Sequence, residues 1–316
     1  MRRRPVSTTS RTLLAIAALL SLALAGCGTD DATGGDATPT SPPASPTVVT
    51  IDHPTGADEV VLLIEQGGGL VPREMLVTSL PLLAVYGDGT VVTQGPVPAI
   101  YPGPALPNLR QSTITEAGLE ALLAEADEDG LLAGSASYGD APVADAPTTI
   151  FRVTARGETH ATAVYALGIA DPPASADPAE REARQRLSAF LSDATSLLDW
   201  LPASDVVTRD AEYEFERLQI VTRPTGASTA TPDVQPGQAD WPLATQLAEL
   251  GEPYWLPDTR CVVIDGADLD TLLPALRQSN TLTEWRSMGG TWALFPRPLL
   301  PHEDGCPMPP TATPTS

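Results

Sequence analysis

The sequence predicts an α+β fold of two modules, each an antiparallel or mixed sheet with helices packed on one face. Short β-rich runs joined by glycine-containing turns indicate hairpins, and hairpins favour antiparallel pairing. Between them lie segments of helical period whose apolar side needs a sheet to cover it. With 316 residues and 42% hydrophobic content the chain can form two cores, while 33 prolines and 25 glycines indicate long irregular stretches.

The first module, residues 58–202, is predicted as strand, hairpin, helix, hairpin, helix. The opening strand is an unbroken apolar run, typical of a central strand, and the glycine triplet after it favours a bulge or a bend. The first helix has Thr115 as its N-cap and ends at Gly130, and the second carries Pro178 in its first turn. The predicted bounds are 59–66, 81–86 with 90–93, 115–129, 148–155 with 159–167, and 177–200.

The second module, residues 203–308, is predicted to alternate strands with helices. Four tryptophans lie here: Trp241, Trp255, Trp285 and Trp292. They either line a binding groove or form the core, and the core is favoured because a small module needs large side chains to bury enough area. Pro274 either starts the last part of the second helix or kinks it. The predicted strands are 215–222, 260–264 and 291–295, and the predicted helices are 241–250 and 267–278.

The N-terminus has the pattern of an export signal. Arginines precede an apolar run over 13–25, which is shorter than the ~20 residues of a membrane span and typical of a signal peptide. The run ends in Leu24-Ala25-Gly26-Cys27, which resembles the lipobox of bacterial lipoproteins. The resemblance implies that residues 1–26 are removed and that Cys27 receives a diacylglyceryl group. The new amino terminus is usually acylated too, for example with palmitate. The alternative is an ordinary secretory signal with a chance cysteine.

A lipid anchor would place the protein on the outer face of the cytoplasmic membrane. Two or more acyl chains retain a protein there, because each buried methylene contributes ~0.8 kcal/mol. No later run approaches the ~18 apolar residues of a second span. Residues 27–57 are rich in Thr, Pro, Ser, Asp and Gly and are predicted to be a disordered tether, as is the tail 309–316.

The cysteine count supports this location. There are 3 cysteines, and if Cys27 is lipidated then Cys261 and Cys306 are left to pair. A disulfide persists outside the cell. The alternatives are two free thiols or a metal pair without further ligands, and neither cysteine has a histidine or a second cysteine nearby in sequence.

The charge balance excludes several classes of function. The chain has 18 basic and 40 acidic residues, and a formal net charge of −22. Such a surface repels phosphate backbones, so nucleic acid is excluded as a partner. Every basic residue is an arginine. The absence of lysine excludes a P-loop, a Schiff-base lysine and a Ser-x-x-Lys nucleophile pair.

Four motifs stand out along the chain: Leu83-Ala84-Val85-Tyr86-Gly87-Asp88-Gly89, Val164-Tyr165-Ala166-Leu167-Gly168, Trp285 with Gly289-Gly290, and Arg297-Pro298-Leu299-Leu300-Pro301 ahead of Cys306. Together they resemble a group of lipoproteins of high-GC Gram-positive bacteria. That group has no assigned activity, so the resemblance implies no catalytic or binding residues. A fainter similarity, confined to 60–167, is to small proteinaceous inhibitors of metalloproteases, which pair an early Gly-Gly strand with a helix and a later hairpin.

Catalytic signatures are scarce. The 3 histidines, His53, His160 and His302, form no HExxH or His-x-His pattern, so neither a metal site nor a cofactor is predicted. A Ser-His-Asp triad can assemble from distant positions, and the best candidate is His160 with Asp140 or Asp145.

The sequence therefore predicts a lipid-anchored, non-enzymatic lipoprotein that binds an envelope or protein partner. The alternatives are an inhibitor-like binding module at 58–202 and a hydrolase centred on His160. No ligand-binding residue is predicted.

Overall fold

In the part of the chain that the structure describes, the strands form two sheets, one of eight strands and one of six. A computed structural model describes residues 50–139, 141–173, 175–226 and 237–307. Both sheets are mixed and helices cover one face of each, so the predicted α+β class is confirmed. Both sheets belong to one compact unit that begins at Val49. The predicted signal peptide, Cys27 and the tail 309–316 lie outside the described residues.

The strands and helices have the following bounds. The strands are β1 (Val60–Gly68), β2 (Leu83–Tyr86), β3 (Thr90–Gln94), β4 (Leu109–Ile114), β5 (Ala136–Tyr138), β6 (Pro147–Ala155), β7 (Glu158–Tyr165), β8 (Val206–Glu212), β9 (Arg217–Pro224), β10 (Gln238–Asp240), β11 (Glu252–Pro253), β12 (Arg260–Asp265), β13 (Glu284–Ser287) and β14 (Gly290–Pro298). The helices are α1 (Arg73–Val77), α2 (Glu116–Glu128), α3 (Pro178–Thr195), α4 (Leu197–Trp200) and α5 (Gly266–Arg277).

The first sheet has the strand order β5-β7-β6-β1-β2-β3-β4-β8. Adjacent strands in this sheet are antiparallel, except that β5 and β7 are parallel to each other. One face is covered by α2 and α3, where Phe151 of β6 meets Phe190 of α3 edge-on with ring centroids 5.9 Å apart. Thr115 caps α2 as expected, since its hydroxyl accepts from the Gly118 amide at 3.2 Å.

The second sheet has the order β10-β13-β14-β9-β12-β11, and α5 packs on one face. Three of the four tryptophans, Trp241, Trp285 and Trp292, are buried in this core. Trp255 is half-buried and belongs to a separate cluster around Leu256. These three large side chains therefore contribute to packing, as large side chains must in a small core.

The uncovered face of the first sheet packs against the C-terminal segment of the second. Side chains alternate along β1 and β2, so Leu63 and Tyr86 point away from the helices and belong to one apolar cluster with Leu300. Gln219 of β9 donates to the Val77 carbonyl at 3.1 Å. A disulfide joins Cys261 to Cys306, the two cysteines that the sequence leaves for pairing. The apolar cluster and the Gln219 hydrogen bond connect the two sheets, whereas the disulfide joins β12 of the second sheet to the segment that follows β14.

Three predicted elements differ in the structure. The second helix is interrupted at Ser196, where α3 ends and the short α4 begins. The helix predicted over 241–250 is absent, because this segment forms turns whose Leu243, Leu247 and Leu250 are buried. Its Leu247 amide donates to the Ser287 hydroxyl at 3.2 Å rather than within a helix. The glycine triplet begins as strand, since β1 continues to Gly68.

The folded part of the chain begins before residue 58, and the first sheet includes a strand from beyond residue 202. Ile51 is 5% exposed, and Pro54 lies so close to Gly87 that a Cβ there would be 2.4 Å from the Pro54 oxygen. The predicted tether therefore reaches the folded part before residue 57. Strand β8, beyond the predicted boundary at residue 202, completes the first sheet. No helix in the described part is long and apolar enough to cross a membrane.

Candidate functional site

A cleft of about 830 Å³ lies on the helix-covered face of the first sheet, at the end that the helices leave open. Strands β3 and β4 form its floor, and the C-terminal end of α3 with α4 forms one wall. The residues Gly95 and Pro96 form a rim beside Asn108, and β8 contributes Arg209 and Asp210. A volume of this size is in the range of small-molecule sites.

The cleft exists because the inward positions of β3 and β4 change character along the strands. Val91 and Ile114 are buried in the helix-covered core. Farther along the same faces the residues are Thr93, Arg110 and Ser112, which line the cleft. Short hydroxyl side chains do not fill the space that α3 leaves where it ends, so the sheet remains accessible there.

Arg110 is the cationic group on the cleft floor. It is half-buried. In the strand register it lies opposite Thr93 of β3 on one side and opposite Glu212 of β8 on the other. The Glu212 carboxylate lies 3.5 Å from the Arg277 guanidinium. Arg110 itself has no hydrogen-bond or ion-pair partner among the described residues.

The other charges of the cleft lie at its edge. The Arg209 guanidinium is 3.0 Å from the Asp199 carboxylate and also donates to the Leu198 carbonyl, which connects β8 to the end of α4. Asp210 is exposed, and its amide donates to the Ser112 hydroxyl at 3.0 Å. The paired Arg209 therefore stabilises the wall, and Arg110 is the cation left for a ligand.

A second cavity of about 510 Å³ also contains arginine. Arg184 of α3 is 4% exposed there and donates to the carbonyls of Tyr165 at 2.7 Å and Tyr138 at 3.4 Å. These bonds join α3 to the ends of β7 and β5, so this guanidinium has a structural role. The free Arg110 makes the larger cleft the better candidate for binding.

Three titratable groups with shifted pKa values, Tyr86, Tyr213 and His302, lie away from the cleft, at the contact between the sheets. The Tyr86 hydroxyl is 2.8 Å from Nδ1 of His302, and the Tyr213 hydroxyl donates to the Leu299 carbonyl at 3.1 Å. Burial raises the pKa of Tyr86 and raises that of Tyr213 to about 12. Burial also lowers the pKa of His302. These groups are hydrogen-bonded to one another or to backbone, and their arrangement is structural.

The structure does not assemble the predicted triad. His160 lies on β7, and its ion-pair partner is Glu158 at 3.9 Å, so His160 and Asp145 are not brought together. Asp140 lies outside the described residues. His53 contacts Glu116 at 2.9 Å, far along the chain from both. Within the described ranges, no group of three or more His, Cys, Asp or Glu side chains could hold a metal ion.

Sequence reasoning missed the cleft residues. Arg110 and Ser112 lie on β4, a strand that follows a proline-rich loop and was not predicted. Arg110 and Ser112 are two positions apart, so in a strand their side chains share one face. This spacing is the sequence signal that could have predicted the strand and its polar face. Arg209 and Asp210 lie on β8, which was also not predicted.

Comparison with known proteins found no matching family model, no similar curated protein and no similar solved structure.

Proposed function

We propose that this protein is a lipid-anchored extracytoplasmic lipoprotein that binds a small molecule in the cleft between α3 and the β3–β4 floor. The lipobox at Cys27 supports the anchor. The cleft, about 830 Å³ with a free guanidinium on its floor, is the observation that carries the binding role. Such a protein would hold its ligand at the outer face of the cytoplasmic membrane.

Binding is favoured over turnover by the state of the cleft hydroxyls. Thr195 and Ser196 donate to backbone carbonyls of α3 at 2.7 and 2.5 Å, and Ser112 accepts from the Asp210 amide. A nucleophilic hydroxyl needs an adjacent base. The histidines of this chain lie on other elements, with contacts to Glu116, Glu158 and Tyr86. The cleft is therefore equipped to recognise a ligand, and no histidine that could activate a hydroxyl lies among its lining residues.

Anchoring is tested by fractionating cells that express the full chain or its Cys27→Ser variant. We expect the wild type in the membrane fraction, labelled by palmitate, and the variant unlabelled. Wild-type protein that is unmodified and free in the medium would contradict the anchor.

Binding is tested with the neutral fluorescent probe phenylnaphthylamine on the chain from residue 28 onward, which retains the compact unit beginning at Val49. We expect saturable one-to-one binding, abolished by Ser112→Trp, which fills the cleft floor. A matched Thr154→Trp change, on the exposed hydroxyl of another strand of the same sheet, serves as control. Binding that survives Ser112→Trp would exclude the cleft.

The inhibitor-like alternative keeps one supporting observation. The segment after β1 exposes Leu70 at 86% and Met75 at 58%, so it offers apolar side chains to a protein partner. Assays against secreted metalloproteases test it, and absence of inhibition at micromolar protein would end it.

A further inference from the structure

We propose that the cleft ligand is an organic anion with an apolar body, and that Arg110 binds its carboxylate or phosphate group. This inference rests on the proposed binding function and adds the chemical class of the ligand. It follows from three features of the cleft: an unpartnered guanidinium, a glycine that seats it, and apolar walls.

The free guanidinium is unusual in this chain. The sequence has 40 acidic residues and 18 basic ones. With this excess of carboxylates, most arginines are expected to form an ion pair. Among the arginines in the described ranges, only Arg110 and the exposed Arg73 of α1 lack a hydrogen-bond or ion-pair partner. Because this guanidinium is half-buried and already unpaired, an anion could form a charge-assisted hydrogen bond with it without first breaking an ion pair.

The backbone at the end of β3 is shaped around the Arg110 side chain. A Cβ at Gly95 would lie 2.7 Å from Cγ and 2.9 Å from Cδ of Arg110. Glycine therefore lets the methylenes of Arg110 pack on the chain and sets where its guanidinium lies. The Gly95 amide is held by the Asn108 carbonyl at 2.8 Å, which fixes this contact.

The walls of the cleft suit an apolar body. Leu82 and Val91 line it from the sheet side, and Leu197 and Leu198 line it from the helix side. Asp199 at the edge is neutralised by Arg209, and Asp210 is exposed at the rim, where solvent screens it. A ligand with one anionic group and an apolar remainder matches this distribution of charge and surface.

The test compares two probes of similar shape on the chain from residue 28 onward. Anilinonaphthalene sulfonate carries an anionic group and phenylnaphthylamine carries none. In Arg110→Gln we expect the affinity for the sulfonate to fall about tenfold or more, the effect of losing a charge-assisted hydrogen bond. We expect the affinity for the neutral probe to change less than about twofold. Arg73→Gln is the matched control, with the same change of charge on exposed α1, and should leave both affinities unchanged.

Competition separates the sources of the anion. Decanoate and decyl phosphate should displace the sulfonate probe, whereas decanol should not. Of the two anions, the one that displaces the probe at the lower concentration identifies carboxylate or phosphate as the preferred group. Gly95→Ala, which displaces the Arg110 side chain but keeps its charge, should also weaken the sulfonate probe selectively.

The outcomes are distinguishable. If wild-type protein binds neither probe, the proposed binding function fails. If both probes bind equally well to wild type and Arg110→Gln, the binding function stands and the anionic class is wrong. If Arg110→Gln loses both probes, Arg110→Lys decides: recovery of the sulfonate probe supports the proposal, and no recovery overturns it.

Discussion

Arg297 and Glu303 form a bidentate ion pair at the contact between the two sheets. Nη1 and Nη2 of Arg297 lie 2.7 and 2.6 Å from the two carboxylate oxygens of Glu303. Both side chains are largely buried, at 7% and 16% exposed. Arg297 Nε also donates to the Ser79 carbonyl at 2.7 Å, in the segment that precedes β2. The Arg297 guanidinium thus connects β14, the last strand of the second sheet, to the segment that leads into β2 of the first sheet.

Arg297→Ala is expected to destabilise the protein by about 3–5 kcal/mol, because it leaves the Glu303 carboxylate largely buried without its counter-ion, with only the Leu300 amide still donating to it. Urea unfolding followed by tryptophan fluorescence measures the change. Replacing both residues, as Arg297→Met with Glu303→Leu, should recover most of the loss, since no unpaired charge remains. A double variant as unstable as Arg297→Ala would show that the pair is not the source.

Removing the disulfide with Cys261→Ala and Cys306→Ala is expected to lower the free energy of unfolding by about 4 kcal/mol. The reason is that the unfolded chain regains the conformational entropy that the closed loop had removed. The bond closes a sequence separation of 45. The measurement is the free energy of unfolding of the double variant beside that of wild type with and without reductant. Reduced wild type should match the variant, and a variant as stable as the oxidised wild type would contradict the prediction.

The lowered pKa of His302 predicts a loss of stability on acidification. Burial lowers this pKa below the ordinary value of ~6.5, so the unfolded chain takes up the proton first. The contribution of His302 is complete above ~6.5 and is lost as the pH falls toward the folded pKa. The free energy of unfolding, measured from neutral pH downward, should show this decline in wild type. His302→Gln should flatten that part of the curve, and an unchanged slope would assign it to another group.

Asp210 at the rim of the cleft is expected to oppose an anionic ligand. Asp210→Asn should raise the affinity for anilinonaphthalene sulfonate by about two- to threefold, the effect of one exposed charge. Asn tolerates the positive φ of 50° at this position as well as Asp does. Asp258→Asn is the matched control, since Asp258 is exposed and has a φ of 57° but lies between β11 and β12, outside the cleft lining. Equal effects of the two changes would point to net charge rather than position.

Elements with local signals were predictable from sequence. The hairpin of β2 and β3, the hairpin of β6 and β7, and helix α2 each carry their own turn residues or cap. The helix predicted over 241–250 had apolar residues at suitable spacing, but tertiary contacts of Leu247 and its neighbours outweigh helix propensity there. Strand β8, exposed along most of its length, has no burial pattern that would identify it.

The cleft was not predictable for a different reason. It depends on where α3 stops relative to β3 and β4, two strands that are distant from α3 in sequence. Nothing local to Arg110 indicates that Gly95 seats its side chain or that Glu212 is held by Arg277. Such a site becomes visible only when strand register and helix length are known together.

The hydrogen bond between Tyr86 and His302 spans 216 positions of the chain. Synthesis proceeds from the amino terminus, so the first sheet emerges long before its last packing partner. Until Leu300 and His302 arrive, one apolar face of that sheet has no cover. We therefore expect maturation to finish late and in a single concerted stage, and shortened chains that end before residue 297 to be vulnerable to proteases and aggregation.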